Sequence, residues 1–200
     1  MEDDLDDLPL EPASDQPSQE GGRTKFLRVS LDILETLVFS LLLFVVINLL
    51  TARIRVDGMS MEPTLHNGEF IIVNKMAYRL GKPSLGDVIV FHPPRSPEQE
   101  YIKRIIGLPG DQVVISAGKV AVNGQKLDEP YIAAPPHYEG NWSVPEDSLF
   151  VLGDNRNNSQ DSHSWGTVTL DAVVGKAVFV YWPPTVWGII EHATPAAATP

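Results

Sequence analysis

Seventeen consecutive residues without a charge, Thr36–Ala52 (TLVFSLLLFVVINLLTA), constrain this chain more than any other feature. As a helix rising ~1.5 Å per residue the run is roughly 25 Å long, a little short of the ~30 Å hydrocarbon layer of a bilayer. Extending it back through Val29–Glu35 closes the gap and sets Asp32 and Glu35 near headgroup depth. A buried core helix would carry a polar face, and this run is apolar all round. A cleaved signal peptide fits poorly, because the polar stretch ahead is too long and a cut after Ala52 would put Leu50 at the third position back. The reading is a single transmembrane anchor over residues 29–52. Arg23, Lys25 and Arg28 precede it and Arg53 and Arg55 follow it. The positive-inside rule therefore favours, by three basic residues to two, a cytoplasmic N-terminus with residues 53–200 outside.

The formal net charge of −11 is spread unevenly. Residues 1–20 hold eight acidic residues and no basic one, which leaves 18 acidic against 15 basic in residues 21–200. The body of the chain has no basic surplus of the kind that nucleic acid binding requires. The acidic start has few large apolar residues beyond Leu5, Leu8 and Leu10. It cannot bury enough surface to offset its chain entropy, so residues 1–28 are expected to form a disordered cytoplasmic tail. There is no cysteine, which excludes cysteine catalysis, disulfides and thiolate metal sites. His66, His92, His137, His163 and His192 are scattered without a helix-spaced pair, so neither a metal nor a cofactor is expected.

Beyond the anchor, short runs rich in Val and Ile dominate: EFIIVN (69–74), DVIVF (87–91), YIKRII (101–106), DQVVIS (111–116), SLFVLG (148–153) and VVGKAVFVYW (173–182). Gly68, Gly86 and Pro109-Gly110 bound several of them, and GKVAVNGQKL reads as a hairpin turning at Asn123-Gly124. Only KMAYRL (75–80) and the anchor look helical. The expected fold is mainly β, an antiparallel domain over residues 53–192 closed as a barrel or as two sheets. Residues 128–147 are expected to be a surface excursion, and 193–200 a flexible end. Only seven residues separate Ala52 from Ser60. Fully extended they reach at most ~25 Å, which ties Ser60 to the neighbourhood of the membrane.

Three segments concentrate polar chemistry. VDGMSMEPTL (56–65) sets Ser60 in a bend punctuated by Gly58 and Pro63, a shape that can present a nucleophile and aim backbone N–H groups at one point. Taken alone, it reads more simply as a turn containing a serine. YIKRIIGLPGD (101–111) places Lys103 in a strand, on one face with Tyr101 and Ile105, while Ile102, Arg104 and Ile106 share the other. One of Lys103 and Arg104 must face the core side. A desolvated lysine loses basicity, and a shift of roughly three units is needed for a base at neutral pH. Taken alone, Lys103 reads more simply as a snorkelling surface lysine. GDNRNNSQDSHSWG (153–166) has hydrogen-bonding groups at nearly every position but lacks the pattern of an EF-hand, since Arg156 stands at the third position. It reads as a polar network around a site.

Together these segments resemble the type I signal peptidases, over roughly Ser30 to Trp182. The shared elements are Ser-Met-x-Pro-Thr (Ser60–Thr64), Tyr-Ile-Lys-Arg-x-x-Gly-x-Pro-Gly-Asp (Tyr101–Asp111) and Gly-Asp-Asn-Arg-x-x-Ser-x-Asp-Ser (Gly153–Ser162), behind an N-terminal anchor. The resemblance implies a membrane-bound serine endopeptidase that removes signal peptides from exported precursors, its partners being those precursors and the bilayer. It implies Ser60 as nucleophile and a neutral Lys103 as general base, a variant of triad logic. It further implies Ser159 orienting the lysine amine, and the Ser60 backbone N–H as oxyanion donor. Val56, Gly58, Leu65, Tyr101 and Ile102 would shape pockets for the small residues of an Ala-x-Ala cleavage site. Arg104, Asp154, Arg156 and Asp161 would be structural residues beside the site.

This chain departs from the family pattern at two positions. Gly58 stands where many members carry a serine whose hydroxyl assists the oxyanion hole, and His163 stands where an arginine often pairs with the aspartate equivalent to Asp161. The non-enzymatic alternative is a membrane-tethered β-module that binds a partner through its polar loop.

Overall fold

The computed structural model describes residues 20–192. Residues 1–19 and 193–200, which hold most of the expected tail and the expected flexible end, lie outside the described residues. The chain forms two compact units that divide between Val45 and Val46.

The first unit is helical. Helix α1 spans Glu20–Leu50, and within it Lys25–Leu50 is long and apolar enough, by length and composition, to cross a membrane. Its large apolar side chains are exposed on every face. The hydroxyls of Ser30 and Thr36 donate to the carbonyls of Phe26 and Asp32, so these polar groups are satisfied within the helix itself. The helix takes in residues 20–28, which the sequence reading gave to the tail. No proline lies between Pro17 and Pro63, and once nucleated a helix extends backward at little cost.

The second unit is built from antiparallel strands. They are β1 (Thr51–Arg55), β2 (Phe70–Asn74), β3 (Val88–Phe91), β4 (Tyr101–Gly107), β5 (Gln112–Ser116), β6 (Lys119–Val122), β7 (Gln125–Lys126), β8 (Gly140–Ser143), β9 (Ser148–Leu152), β10 (Val168–Thr169), β11 (Val173–Trp182) and β12 (Gly188–Ile189). Two short helices, α2 (Ala77–Leu80) and α3 (Ser162–Trp165), complete it. The large sheet runs β1-β2-β11-β3-β4-β9-β10, with β12 added on β11, and the small sheet runs β7-β6-β5-β8. The fold is thus the mainly β, two-sheet antiparallel arrangement expected from the sequence. The β6–β7 turn has positive φ at both Asn123 (52°) and Gly124 (80°), as a two-residue hairpin of matching twist requires.

Period-two alternation explains the core. On β3, Val88 and Val90 join one cluster with Val56, Leu65, Ile71 and Val73, whereas Ile89 and Phe91 join another with Ile105, Leu149 and Val151. On β9, Phe150 and Leu152 turn to a third cluster, beneath the small sheet, with Ile106, Val113 and Val120. Each fully buried Val, Ile, Leu or Phe contributes roughly 1.5–3 kcal/mol. The central strands β3, β4 and β9 are therefore covered on both faces. Lys103 and Arg104, adjacent on β4, are both buried, at 4% and 0% exposure. At least one of the two was expected to face the core side, and both are buried, because β4 has no solvent face from Ile102 to Gly107.

Three element boundaries also differ from the sequence reading. Thr51 and Ala52 belong to β1, paired with Asn74 and Val73 of β2, rather than to the anchor. Within the expected excursion, β8 pairs with β5, where Trp142 packs 5.1 Å from the Phe150 ring. The helix expected over 75–80 shrinks to Ala77–Leu80, since the Lys75 N–H donates to Leu50 O and the Met76 N–H to Asn74 Oδ1.

Candidate active site

The segment that follows β1 is pinned at both ends. The Val56 N–H donates to Glu69 O at 2.7 Å and the Gly68 N–H to Val56 O at 2.9 Å, which closes the loop. Between them Met61 and Leu65 are wholly buried and anchor the bend in the core. At Gly58 φ is 91°, and a side chain there would meet open space, so backbone conformation rather than crowding favours glycine. The result holds Ser60 half-buried, directly over β4.

Lys103 Nζ lies 2.7 Å from Ser60 Oγ and donates to the Ile102 carbonyl at 2.9 Å. It sits 5.4 Å from the centre of the Tyr101 ring. Burial lowers its pKa from 10.5 to about 8, against the opposing pull of Asp161 and then Asp154. A lysine in this state can take a proton from the hydroxyl it touches.

The surrounding charges are compensated in pairs. Asp154, wholly buried, accepts from Arg104 Nε at 2.8 Å and Nη2 at 2.7 Å and also from the Thr64 hydroxyl. Arg104 Nη1 donates to the carbonyls of Gly86 and Glu191, and its guanidinium lies 4.1 Å from the Tyr131 ring centre. Arg156 donates to Gly153 O and forks onto both carboxylate oxygens of Glu129. Bidentate geometry of this kind is what makes buried ion pairs tolerable. Asp161 accepts from the Gly153 N–H at 2.9 Å and the His163 N–H at 3.2 Å, capping α3, and its carboxylate lies 2.6 Å from His163 Nδ1. The His163 ring stacks on Tyr138 at 4.0 Å.

One expected contact is absent. Ser159 Oγ has no hydrogen-bond partner among the described residues, whereas the sequence reading had it orient the Lys103 amine. The lysine nitrogen instead spends its contacts on Ser60 Oγ and the Ile102 carbonyl. Ser159 packs against Gly153, where an added Cβ would collide with Ser159 Oγ and with the carbonyl oxygen of Ser60. The expected pocket also needs correction. A cleft of about 550 Å³ opens at Ser60 and Lys103 and is walled by Val56, Tyr101, Ile102 and Val90, with Gln99, Glu100 and Gln160 among its polar residues. Neither Gly58 nor Leu65 lines it. Leu65 is turned inward, fully buried in the cluster that holds Val56 and Ile102. A second cavity of about 430 Å³ lies on the Arg104 and Tyr131 side and contains neither Ser60 nor Lys103.

Sequence reasoning missed Glu129, which neutralises Arg156, as well as Asn155 and Asn67, which bond to the Ser60 segment. Asn155 stands in the shared Gly-Asp-Asn-Arg element, within a segment dense in polar residues, but neither signal gave it a role, and nothing local marked the other two. Among the described residues, no group of three or more His, Cys, Asp or Glu side chains is arranged to hold a metal ion.

Residues 30–182 match the family described as signal peptidase, peptidase S26. The chain is 46% identical over 160 residues to the probable signal peptidase I-2 of Synechocystis sp., covering 76% of this chain and 73% of that protein. It is 41% identical over 184 residues to signal peptidase I of Leptolyngbya laminosa, covering 88% of this chain and 87% of that one. It is also 41% identical over 145 residues to signal peptidase I of Bacillus caldolyticus, covering 64% and 78%.

Proposed function

The chain belongs to the signal peptidase family, peptidase S26, and we propose that it cleaves signal peptides from exported precursors with Ser60 as nucleophile and Lys103 as general base. Serine endopeptidase activity follows from the family and from relatives named signal peptidase I across most of the chain. The observation that carries the residue assignment is the 2.7 Å separation of Lys103 Nζ from Ser60 Oγ, with the lysine buried and its pKa lowered to about 8.

In this mechanism Ser60 Oγ attacks the scissile carbonyl as its proton passes to Lys103 Nζ. The tetrahedral oxyanion faces the Ser60 N–H. The Lys103 ammonium then returns the proton to the leaving amine. The mature protein leaves with that amine, and a water molecule, deprotonated by the same lysine, then hydrolyses the acyl-enzyme and frees the signal peptide from Ser60. Val56, Tyr101 and Ile102 crowd the cleft beside Ser60 and favour small residues such as alanine one and three positions before the cut. Residues Lys25–Leu50 serve as the anchor, with the N-terminus cytoplasmic and the peptidase domain on the other side of the cell membrane. The short chain between Leu50 and Ser60 keeps the serine within reach of a substrate leaving the bilayer.

The test is cleavage of a precursor with an Ala-x-Ala site by the full chain and by Ser60→Ala and Lys103→Ala. Both variants lose activity while binding the precursor. Parent-rate cleavage by either one rejects the assignment.

A further inference from the structure

Two hydrogen bonds run from Asn155 onto consecutive carbonyls of the Ser60 segment. The side-chain Nδ2 donates to Met59 O at 3.1 Å, and the backbone N–H donates to Ser60 O at 3.1 Å. Asn155 is itself held firmly. Asp154 before it is locked onto Arg104, Arg156 after it is locked onto Glu129, and the Asn158 N–H donates to Asn155 O at 3.0 Å.

The first of these bonds bears on the chemistry. The Met59–Ser60 peptide is trans, and in a trans peptide the C=O and N–H point in opposite directions within one plane. Met59 O also accepts from the Glu62 N–H, at a longer 3.3 Å, and fixing Met59 O fixes the direction of the Ser60 N–H. That N–H donates to no acceptor among the described residues. The neighbouring Gly58 N–H is already bound to Asn67 Oδ1 at 3.0 Å, and Gly58 brings no hydroxyl. Donation to the carbonyl also polarises the same amide, which makes its N–H a stronger donor. A donor aimed before the reaction needs no reorganisation during it.

We infer that Asn155 is a positioning residue: its side-chain amide holds the Met59–Ser60 peptide plane so that the Ser60 N–H points at the developing oxyanion. The inference rests on the reading of Ser60 as nucleophile with its own N–H as oxyanion donor.

The experiment compares full-length Asn155→Asp and Asn155→Ala with the parent chain and with Ser60→Ala on a precursor peptide in detergent. Asn155→Asp is nearly isosteric but replaces the amide donor with an acceptor, and Asn155→Ala keeps the test open if the added charge disturbs the turn. In both, kcat falls roughly tenfold or more while KM stays within about twofold. In Asn155→Ala the pH midpoint of kcat/KM stays at the parent value, because no charge near Lys103 changes, whereas in Asn155→Asp the added carboxylate moves it upward, in the direction that Asp161 and Asp154 already pull. Affinity for a peptide aldehyde, which forms a tetrahedral adduct with the serine, falls by the same factor as kcat, and affinity for a non-cleavable peptide of the same sequence does not. Parent-like kcat in a folded Asn155 variant beside an inactive Ser60→Ala overturns the inference alone, as does an equal loss of affinity for both ligands. Cleavage by Ser60→Ala overturns the reading beneath it.

Discussion

Lys103 Nζ stands 2.7 Å from Ser60 Oγ at the floor of a cleft, and the lysine is otherwise buried, at 4% exposure. Burial lowers its pKa from 10.5 to about 8, despite Asp161 and Asp154. Only the neutral amine accepts the serine proton, and the neutral fraction grows as pH rises through that value. On a precursor peptide kcat/KM therefore climbs with pH, levels off above about 8, and drops about tenfold per pH unit below it. A pH series at constant ionic strength checks this. A profile already flat at pH 6 removes Lys103 from the role of base.

The same burial burdens the fold. The folded-state pKa of about 8 lies below the value of 10.5 in an open chain, so between them the unfolded chain binds the extra proton and stability rises with pH. Below about pH 8 both states are protonated and the whole penalty is present. Lys103→Met removes the charge and keeps the volume. The variant is expected to be inactive yet more stable at pH 7 by about 1–3 kcal/mol, allowing for its lost hydrogen bonds. The gain shrinks toward nothing as pH approaches 10.5. Urea denaturation at pH 7 and pH 10 measures both; a variant no more stable at pH 7 would mean the lysine is solvated.

Where the sequence was legible, local pattern decided the outcome. Ile71 and Val73 alternate with half-buried partners on β2, and Asn123-Gly124 turns the β6–β7 hairpin, because each depends on neighbours in the chain. What was illegible depended on residues far away. Alternation alone assigned Lys103 and Arg104 to opposite faces, but only the clusters packed on both faces of β4, which take in Ile102, Ile105 and Ile106, bury both. Glu129 meets Arg156 across 27 positions, and Asn155 meets Met59 across 96. Leu65 looked like a pocket residue by likeness of motif, yet it turns inward because its N–H closes a helical turn on Met61 O at 2.9 Å. Motif likeness brought Ser60 and Lys103 together, and it could not supply the partner of Ser159.

Arg104 and Asp154 form the most deeply buried ion pair of the described residues, both at 0% exposure. Arg104→Met leaves the Asp154 carboxylate buried with only the Thr64 hydroxyl as a side-chain donor. That variant loses about 3–5 kcal/mol of stability. Arg104→Met combined with Asp154→Leu removes both charges and loses less than the single change does, because apolar replacements of similar volume need no compensation. Denaturant unfolding of the two variants decides it. A double variant less stable than Arg104→Met would mean that the pair's geometry, rather than charge compensation, supports the fold.

Gly153 packs against the Ser60 segment with no room for a side chain. A methyl group built there overlaps Ser159 Oγ and the Ser60 carbonyl oxygen, and it lies 2.7 Å from Ser159 Cβ. Two of those atoms belong to a side chain that can be shortened, and the third belongs to the backbone of the proposed nucleophile. Gly153→Ala therefore forces the loop and Ser60 apart, destabilising the fold by about 1–3 kcal/mol and cutting kcat, since the displaced backbone carries the Ser60 hydroxyl away from Lys103. Adding Ser159→Gly clears both side-chain atoms but leaves the clash with the Ser60 carbonyl. The double variant then recovers part of the stability and little of the rate. Thermal denaturation and precursor cleavage, measured on the two variants and on Ser159→Gly alone, separate these effects. If the double variant regains the rate of Ser159→Gly, the backbone contact at Ser60 is not what holds the serine in place.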